Sequence, residues 1–224
     1  MILLKTGPRL RMRKTTAVLV LTCAIDAVAA GVCHAQLPPP KADPMAISVG
    51  VAWVIPLENL ALQHWSDGRY ATSGAALTQR FSYAPWEVLG FFLQASFPAF
   101  GLDGNAAQRD FMYDPPITGG SNDVTAWNLG ARLRLGRSWK KGLYVEAAVG
   151  WHRDRLELEL VESSVDTTFS WEPGWAVAAG WVFPLGPALA VDAGVAVHEF
   201  REEYFVNRWV GLRLLAVMTF GGDR

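Results

Sequence analysis

Eight stretches of this 224-residue chain place apolar residues at every second position, and that period constrains the fold more than any other feature. The last of them, Arg208 to Phe220, sets Val210, Leu212, Leu214, Ala216, Met218 and Phe220 on one face, with Gly211, Arg213 and Thr219 among the residues on the other. Successive side chains of a β-strand point to opposite faces, so such a stretch reads as a strand that is greasy on one side. The first begins at Ile47, with Val49, Val51, Trp53 and Ile55 against Ser48, Gly50 and Ala52. About Gly74–Tyr83 the pattern is Leu77, Phe81 and Tyr83 against Ala76, Thr78, Arg80 and Ser82, and about Trp86–Phe97 it is Leu89, Phe91, Leu93 and Phe97 against Gly90, Gln94 and Ser96, with Phe92 breaking it. About Ala126–Leu135, Trp127, Leu129, Leu133 and Leu135 oppose Asn128, Gly130, Arg132 and Arg134. About Leu143–His152, Val145, Val149 and Trp151 oppose Glu146, Ala148, Gly150 and His152. Trp175, Val177, Trp181 and Phe183 then oppose Ala176, Ala178 and Gly180, and Leu189, Val191, Val195 and Val197 oppose Asp192, Gly194, Ala196 and His198.

Connections 57–73, 98–125, 153–174 and 199–207 are long, whereas 84–85, 136–142 and 184–187 are short and rich in Pro, Gly or Lys. An up-and-down barrel has that rhythm. Alternation alone also fits a soluble lipocalin-like ligand binder with its apolar side inward. Side-chain size decides between them. Eight strands enclose a bore barely wide enough for their own side chains, so Trp53, Phe81, Phe91, Trp127, Trp151, Trp175, Trp181 and Phe183 are expected outside, against lipid. The opposite face, mostly Gly, Ala and Ser with a few charges, suits a narrow interior. Aromatic residues cluster at both strand ends: Trp53, Trp127, Trp151 and Trp175 on the long-loop side, and Phe81, Tyr83, Trp181, Phe183 and Phe220 on the short-turn side. Two girdles about 25 Å apart are what amphipathic rings at two membrane interfaces produce.

By strand count, topology and an alternating last strand that ends in Phe220, the mature chain resembles the small bacterial outer-membrane barrels of the OmpA, OmpX and OmpW types. The resemblance is architectural and covers the whole mature chain. It implies an all-β, eight-stranded antiparallel transmembrane barrel over residues 45–220, monomeric, with periplasmic termini and extracellular long loops in a Gram-negative outer membrane. Partners implied are membrane lipid, lipopolysaccharide and the assembly machinery that reads the last strand; no cofactor is implied. Gly221–Arg224 extend past the aromatic at which that family usually stops.

Lys5, Arg9, Arg11, Arg13 and Lys14 precede an apolar run, Ala17–Ala30, broken by Asp26, and Cys33-His34-Ala35 then offers a small-residue cut. Residues 1–35 therefore read as a secretory signal peptide, started at Met1 or Met12. The run is too short for a membrane anchor, which needs about 20 apolar residues. Both cysteines lie in this leader, which excludes disulfides and cysteine metal sites from the mature chain. The leader also holds five of the 20 basic residues and one of the 21 acidic ones, leaving 15 against 20. A nucleic-acid binder has the opposite balance. Residues 36–44, Pro-rich, suit an extended periplasmic lead-in.

Arg80, Arg132, Arg134 and Arg213 share the inward phase with Glu146, Asp192 and His152. Charges in a narrow bore must be paired or solvated, so they form either an interlocked salt-bridge plug or an anion-preferring conduit; the small bore favours the plug. Above Trp151 polarity inverts. Arg153, Arg155, Glu157 and Glu159 continue the outer phase and Leu156, Leu158 and Leu160 the inner one, while a bulge at Glu172-Pro173-Gly174 could bring Phe169 and Trp171 to the leucines' side. That would make a projecting hairpin with an extracellular apolar pocket. His64-Trp65-Ser66-Asp67 resembles the His-x-Ser of lipid A deacylases, but Asp67 stands where that family has Asn, and the pair falls in a loop. His64, His152 and His198 are too scattered in sequence to argue for a metal. The expected role is structural, adhesive or the passage of small apolar solutes; the alternative is a lipid-modifying barrel enzyme, of the lipid A deacylase or acyltransferase type.

Overall fold

A computed structural model describes residues 45–58, 71–111, 116–135, 141–201 and 206–220. The leader, the Pro-rich lead-in, the tail at Gly221–Arg224 and the segment with His64, Trp65, Ser66 and Asp67 lie outside the described residues. The described strands are β1 (Met45–Glu58), β2 (Gly74–Tyr83), β3 (Leu89–Gly101), β4 (Ile117–Arg134), β5 (Gly142–Leu160), β6 (Ser164–Thr168), β7 (Glu172–Pro184), β8 (Leu189–Arg201) and β9 (Val206–Phe220). One helix, α1 (Gly104–Phe111), sits between β3 and β4.

Eight of the strands close into an antiparallel ring in the order β1, β2, β3, β4, β5, β7, β8, β9, with β9 returning to pair with β1. Closure gives the backbone of each ring strand a partner on both sides, the condition for crossing lipid with strands. The ninth strand, β6, is the return limb of a hairpin: β5 runs on past the ring and pairs Arg155–Glu159 with Ser164–Thr168.

Two of the expected long connections are largely ordered sheet. β4 begins at Ile117 and pairs with β5 up to Leu160, so parts of 98–125 and 153–174 form a tall wall above the rest of the barrel. The alternation of charge and leucine over Arg153–Leu160 supplies the reason, since it is itself a strand pattern with its faces exchanged. Helix α1 lies in a stretch where a loop is expected; its Ala107 is fully buried and packs with Ile117, Leu102 and Leu160.

The two faces separate by size over most of the ring. Trp53, Trp127, Trp151, Trp181, Phe183 and Phe220 stand 45–59% exposed on the outside, and Ile47, Val51, Leu129, Leu212 and Leu214 fill the belt between them. An apolar surface of this extent has no place in water and is what an acyl-chain environment requires. It also excludes the lipocalin-like arrangement, in which these side chains would line the bore. Trp175 is only half-buried outside, and Leu89 keeps the outward phase yet is buried.

Candidate functional site: the filled lumen

The inward residues fall at two levels. Nearer the short turns, Glu146 on β5 accepts from three arginines of three other strands. Arg80 Nη1 on β2 donates to Oε1 at 2.6 Å, Arg132 Nε on β4 to Oε1 at 2.5 Å, and Arg213 Nη2 on β9 to Oε2 at 2.6 Å. Arg132 Nη2 also reaches Asp192 Oδ2 on β8 at 2.5 Å. The Tyr144 hydroxyl donates to Asp192 Oδ1 and accepts from Arg213 Nη2 at 2.8 Å. Gln94 on β3 accepts from Arg80 Nε at 3.1 Å and donates to Ser96 Oγ at 2.8 Å. In ring order, β2 and β5, β4 and β8, and β9 and β5 each stand three strands apart, so these bonds cross the bore.

Aromatic rings hold the guanidiniums from the other side. Arg80 lies 4.1 Å from the Phe92 ring centroid and Arg132 lies 3.8 Å from that of Tyr144. Cation–π contact of this kind favours a desolvated guanidinium. Glycines make room for both rings: a Cβ on Gly130 would collide with Phe92, and one on Gly180 or Gly194 with the Tyr144 hydroxyl.

Nearer the long loops, aromatic rings pack against one another. Trp209 is 1% exposed and stacks on His198 at 4.7 Å, while His152 stacks on Phe200 at 5.3 Å and meets Trp209 edge-on at 5.7 Å. Phe100 closes the group edge-on to Trp209 at 6.2 Å, with Ala52, Val54, Ala76 and Val124 around it.

Of the residues expected in a polar network, Arg80, Arg132, Glu146, Asp192 and Arg213 meet. Arg134 is buried on the same face, nearer the turns, and makes contacts of its own. His152 does not join: it belongs to the ring level, and neither of its nitrogens has a hydrogen-bond partner among the described residues. An interior of tiny residues is also corrected. Phe92, Phe100, Tyr144, Phe200 and Trp209 all lie inside, admitted because Gly and Ala opposite them leave the space. Strand parity alone marks Tyr144 and Trp209, which share the inward phase of Glu146 and Arg213.

The five residues expected to form an apolar pocket do not share one. Leu156 and Leu158 are buried against Leu102, and Leu160 packs with the Ala107 and Ile117 pair. The register from β6 to β7 does contain one extra residue: Arg155 pairs with Thr168, but His152 pairs with Glu172. This bulge leaves Trp171 on the outer side, 41% exposed, with the Arg153 guanidinium 4.9 Å over its ring, while Phe169 stays exposed.

No family model and no curated protein matches the chain. Among solved structures, Neisserial surface protein A aligns with a TM-score of 0.50 at 14% identity, covering 80% of this chain and 97% of that one. The attachment invasion locus protein Ail of Yersinia pestis, solved with the heparin analogue sucrose octasulfate, gives 0.49 at 14% over 79% and 97%. A major outer membrane protein of Thermus thermophilus gives 0.49 at 14% over 80% and 100%. Taken with the closed ring and the apolar outer belt, the first of these likenesses identifies the fold: a small eight-stranded antiparallel barrel of the outer-membrane type.

Proposed function

We propose that this chain is an integral outer-membrane protein of a Gram-negative bacterium that works as a closed barrel, structural or adhesive, and presents the tall β4–β5–β6 wall outside the cell. The observation that carries this reading is the bonding of Glu146 across the bore to Arg80 and Arg213, and to Arg132 on the neighbouring strand. Moving solute through the bore would mean breaking several buried, charge-assisted bonds at once, each among the stronger kinds of hydrogen bond. Two small cavities, about 10 and 20 Å³, adjoin the network. Each is near the minimum for a single water. No side chain of the network is placed for bond-making chemistry on a lipid, since all its members face inward.

The test is reconstitution in planar bilayers. The expected result is a silent membrane for the native chain; stable single-channel steps that vanish in Arg132→Ala would overturn the closed-barrel reading. Location is tested separately: the folded protein is expected to run faster than its boiled form in cold SDS, and added protease to cut the β5–β6 hairpin on intact cells.

A further inference from the structure

The lipid-facing belt has one chemical exception. Between the two aromatic girdles the described ring strands turn only apolar side chains outward, save Gln79 on β2. Gln79 continues the outward phase of Leu77 and Phe81 and is exposed as they are. Its register neighbours are Val49 on β1 and Ala95 on β3, neither with a polar side-chain atom, and its amide has no partner among the described residues.

Depth makes this costly. Ala75, paired with the girdle residue Trp53, and Tyr83 mark the two ends of the outer face of β2, and Gln79 lies four residues from each. Four residues of strand span about 13 Å, farther than a glutamine side chain reaches, so neither membrane interface solvates the amide. Acyl chains neither donate nor accept, and a primary amide left among them is penalised for the bonds it does not make. Whatever satisfies Gln79 must bring both a donor and an acceptor to its depth. A second copy of the chain does so by identity. A twofold axis along the membrane normal sets β2 against its counterpart with both Gln79 residues at one height, an isologous contact in which each amide donates its N–H to the carbonyl oxygen of the other. Ala95 beside Gln79 is small and lets the two walls approach, as small residues do at contacts within membranes.

We propose that the outer face around Gln79 on β2 is a pairing surface, through which two copies of this barrel associate in the membrane by reciprocal Gln79 hydrogen bonds. The monomer implied by the family resemblance is then the dissociated form of a reversible dimer.

Pairing is read by energy transfer in lipid vesicles. No cysteine lies beyond Cys33, so Glu87→Cys, exposed between β2 and β3, takes donor or acceptor dye at one place once the leader is removed. Mixed barrels are expected to transfer above the level of random encounter, and more than barrels labelled through Gly186→Cys, exposed between β7 and β8 on the far side of the ring. Gln79→Leu, which suits a lipid face, is expected to weaken pairing roughly tenfold. Random-level transfer with Gln79 intact, equal transfer from the two labels, or undiminished pairing in Gln79→Leu overturns the proposal. Pairing presupposes insertion, which the shift in gel mobility on boiling reports independently: a barrel that inserts without pairing refutes the contact and leaves the membrane reading intact.

Discussion

The two levels of the lumen solve the same packing problem by different means. The turn-side level is held by Arg80, Arg132, Glu146, Asp192 and Arg213 through directional, charge-assisted bonds, and the loop-side level by His152, His198, Phe200 and Trp209 through ring contact. The difference teaches where the barrel is brittle. A charged level fails when one partner is removed, because the rest are stranded; a ring level loses contact area in proportion to what is cut away.

The largest expected effect follows from that contrast. Glu146→Gln keeps the volume but removes the one carboxylate that Arg80, Arg132 and Arg213 share, and should cost about 5 kcal/mol, the upper end for breaking a buried ion pair. It is read as a lower urea midpoint for the barrel refolded in lipid vesicles. At the ring level, Trp209→Ala should cost about 3 kcal/mol by cavity formation, measured in the same way. A loss for Trp209→Ala larger than that for Glu146→Gln would reverse the comparison.

A subtler substitution sharpens it. His152 is fully buried, lies parallel to Phe200 within 6°, and has no hydrogen-bond partner on either nitrogen among the described residues. His152→Phe removes two polar atoms from an apolar setting and should stabilise the barrel by about 1 kcal/mol. The same exchange of a polar for an apolar group at Arg80 should destabilise it. If His152→Phe is instead costly, the imidazole has a partner and the ring level is polar after all.

How much of this was legible in the sequence depends on what a residue's neighbours in space contribute. Parity gave the ring strands and put Arg80, Arg132, Glu146, Asp192 and Arg213 on one face, because facing is a local property of a strand. Size was a poorer guide than parity. Excluding large rings from a narrow bore works for Trp127 or Trp181 but misses Tyr144, whose space is made by Gly180 and Gly194 on strands far along the chain. His152 shows the same limit, since its phase was plain and its company was not. The tall wall is hidden for another reason: the leucine alternation of Leu156 and Leu158 fits a pocket lining as well as a packed face, and the cover over them comes from Leu102, outside the hairpin.

The smallest effect expected belongs to the outer face of the projecting hairpin, the counterpart in water of the buried ion pairs. Arg155 Nη2 meets Asp166 Oδ2 at 2.5 Å across β5 and β6, with both side chains about half exposed. The Arg155 hydrogen bonds hold the Asp166 carboxyl below its usual range. A carboxyl depressed in the folded state contributes stability above its unfolded-state value, about pH 4, and loses it as pH falls through the lower folded value. Exposed pairs are screened by solvent and contribute little. The whole barrel's unfolding should therefore hardly notice Asp166→Asn at neutral pH. Local opening is the sensitive readout: below about pH 4, cleavage of the hairpin by an acid protease should rise in the native chain, while Asp166→Asn should be cleaved at the raised rate throughout. A global stability loss from Asp166→Asn comparable to that of Glu146→Gln would mean that the exposed pair is coupled to the bore, and that the separation between buried and solvated ion pairs fails in this barrel.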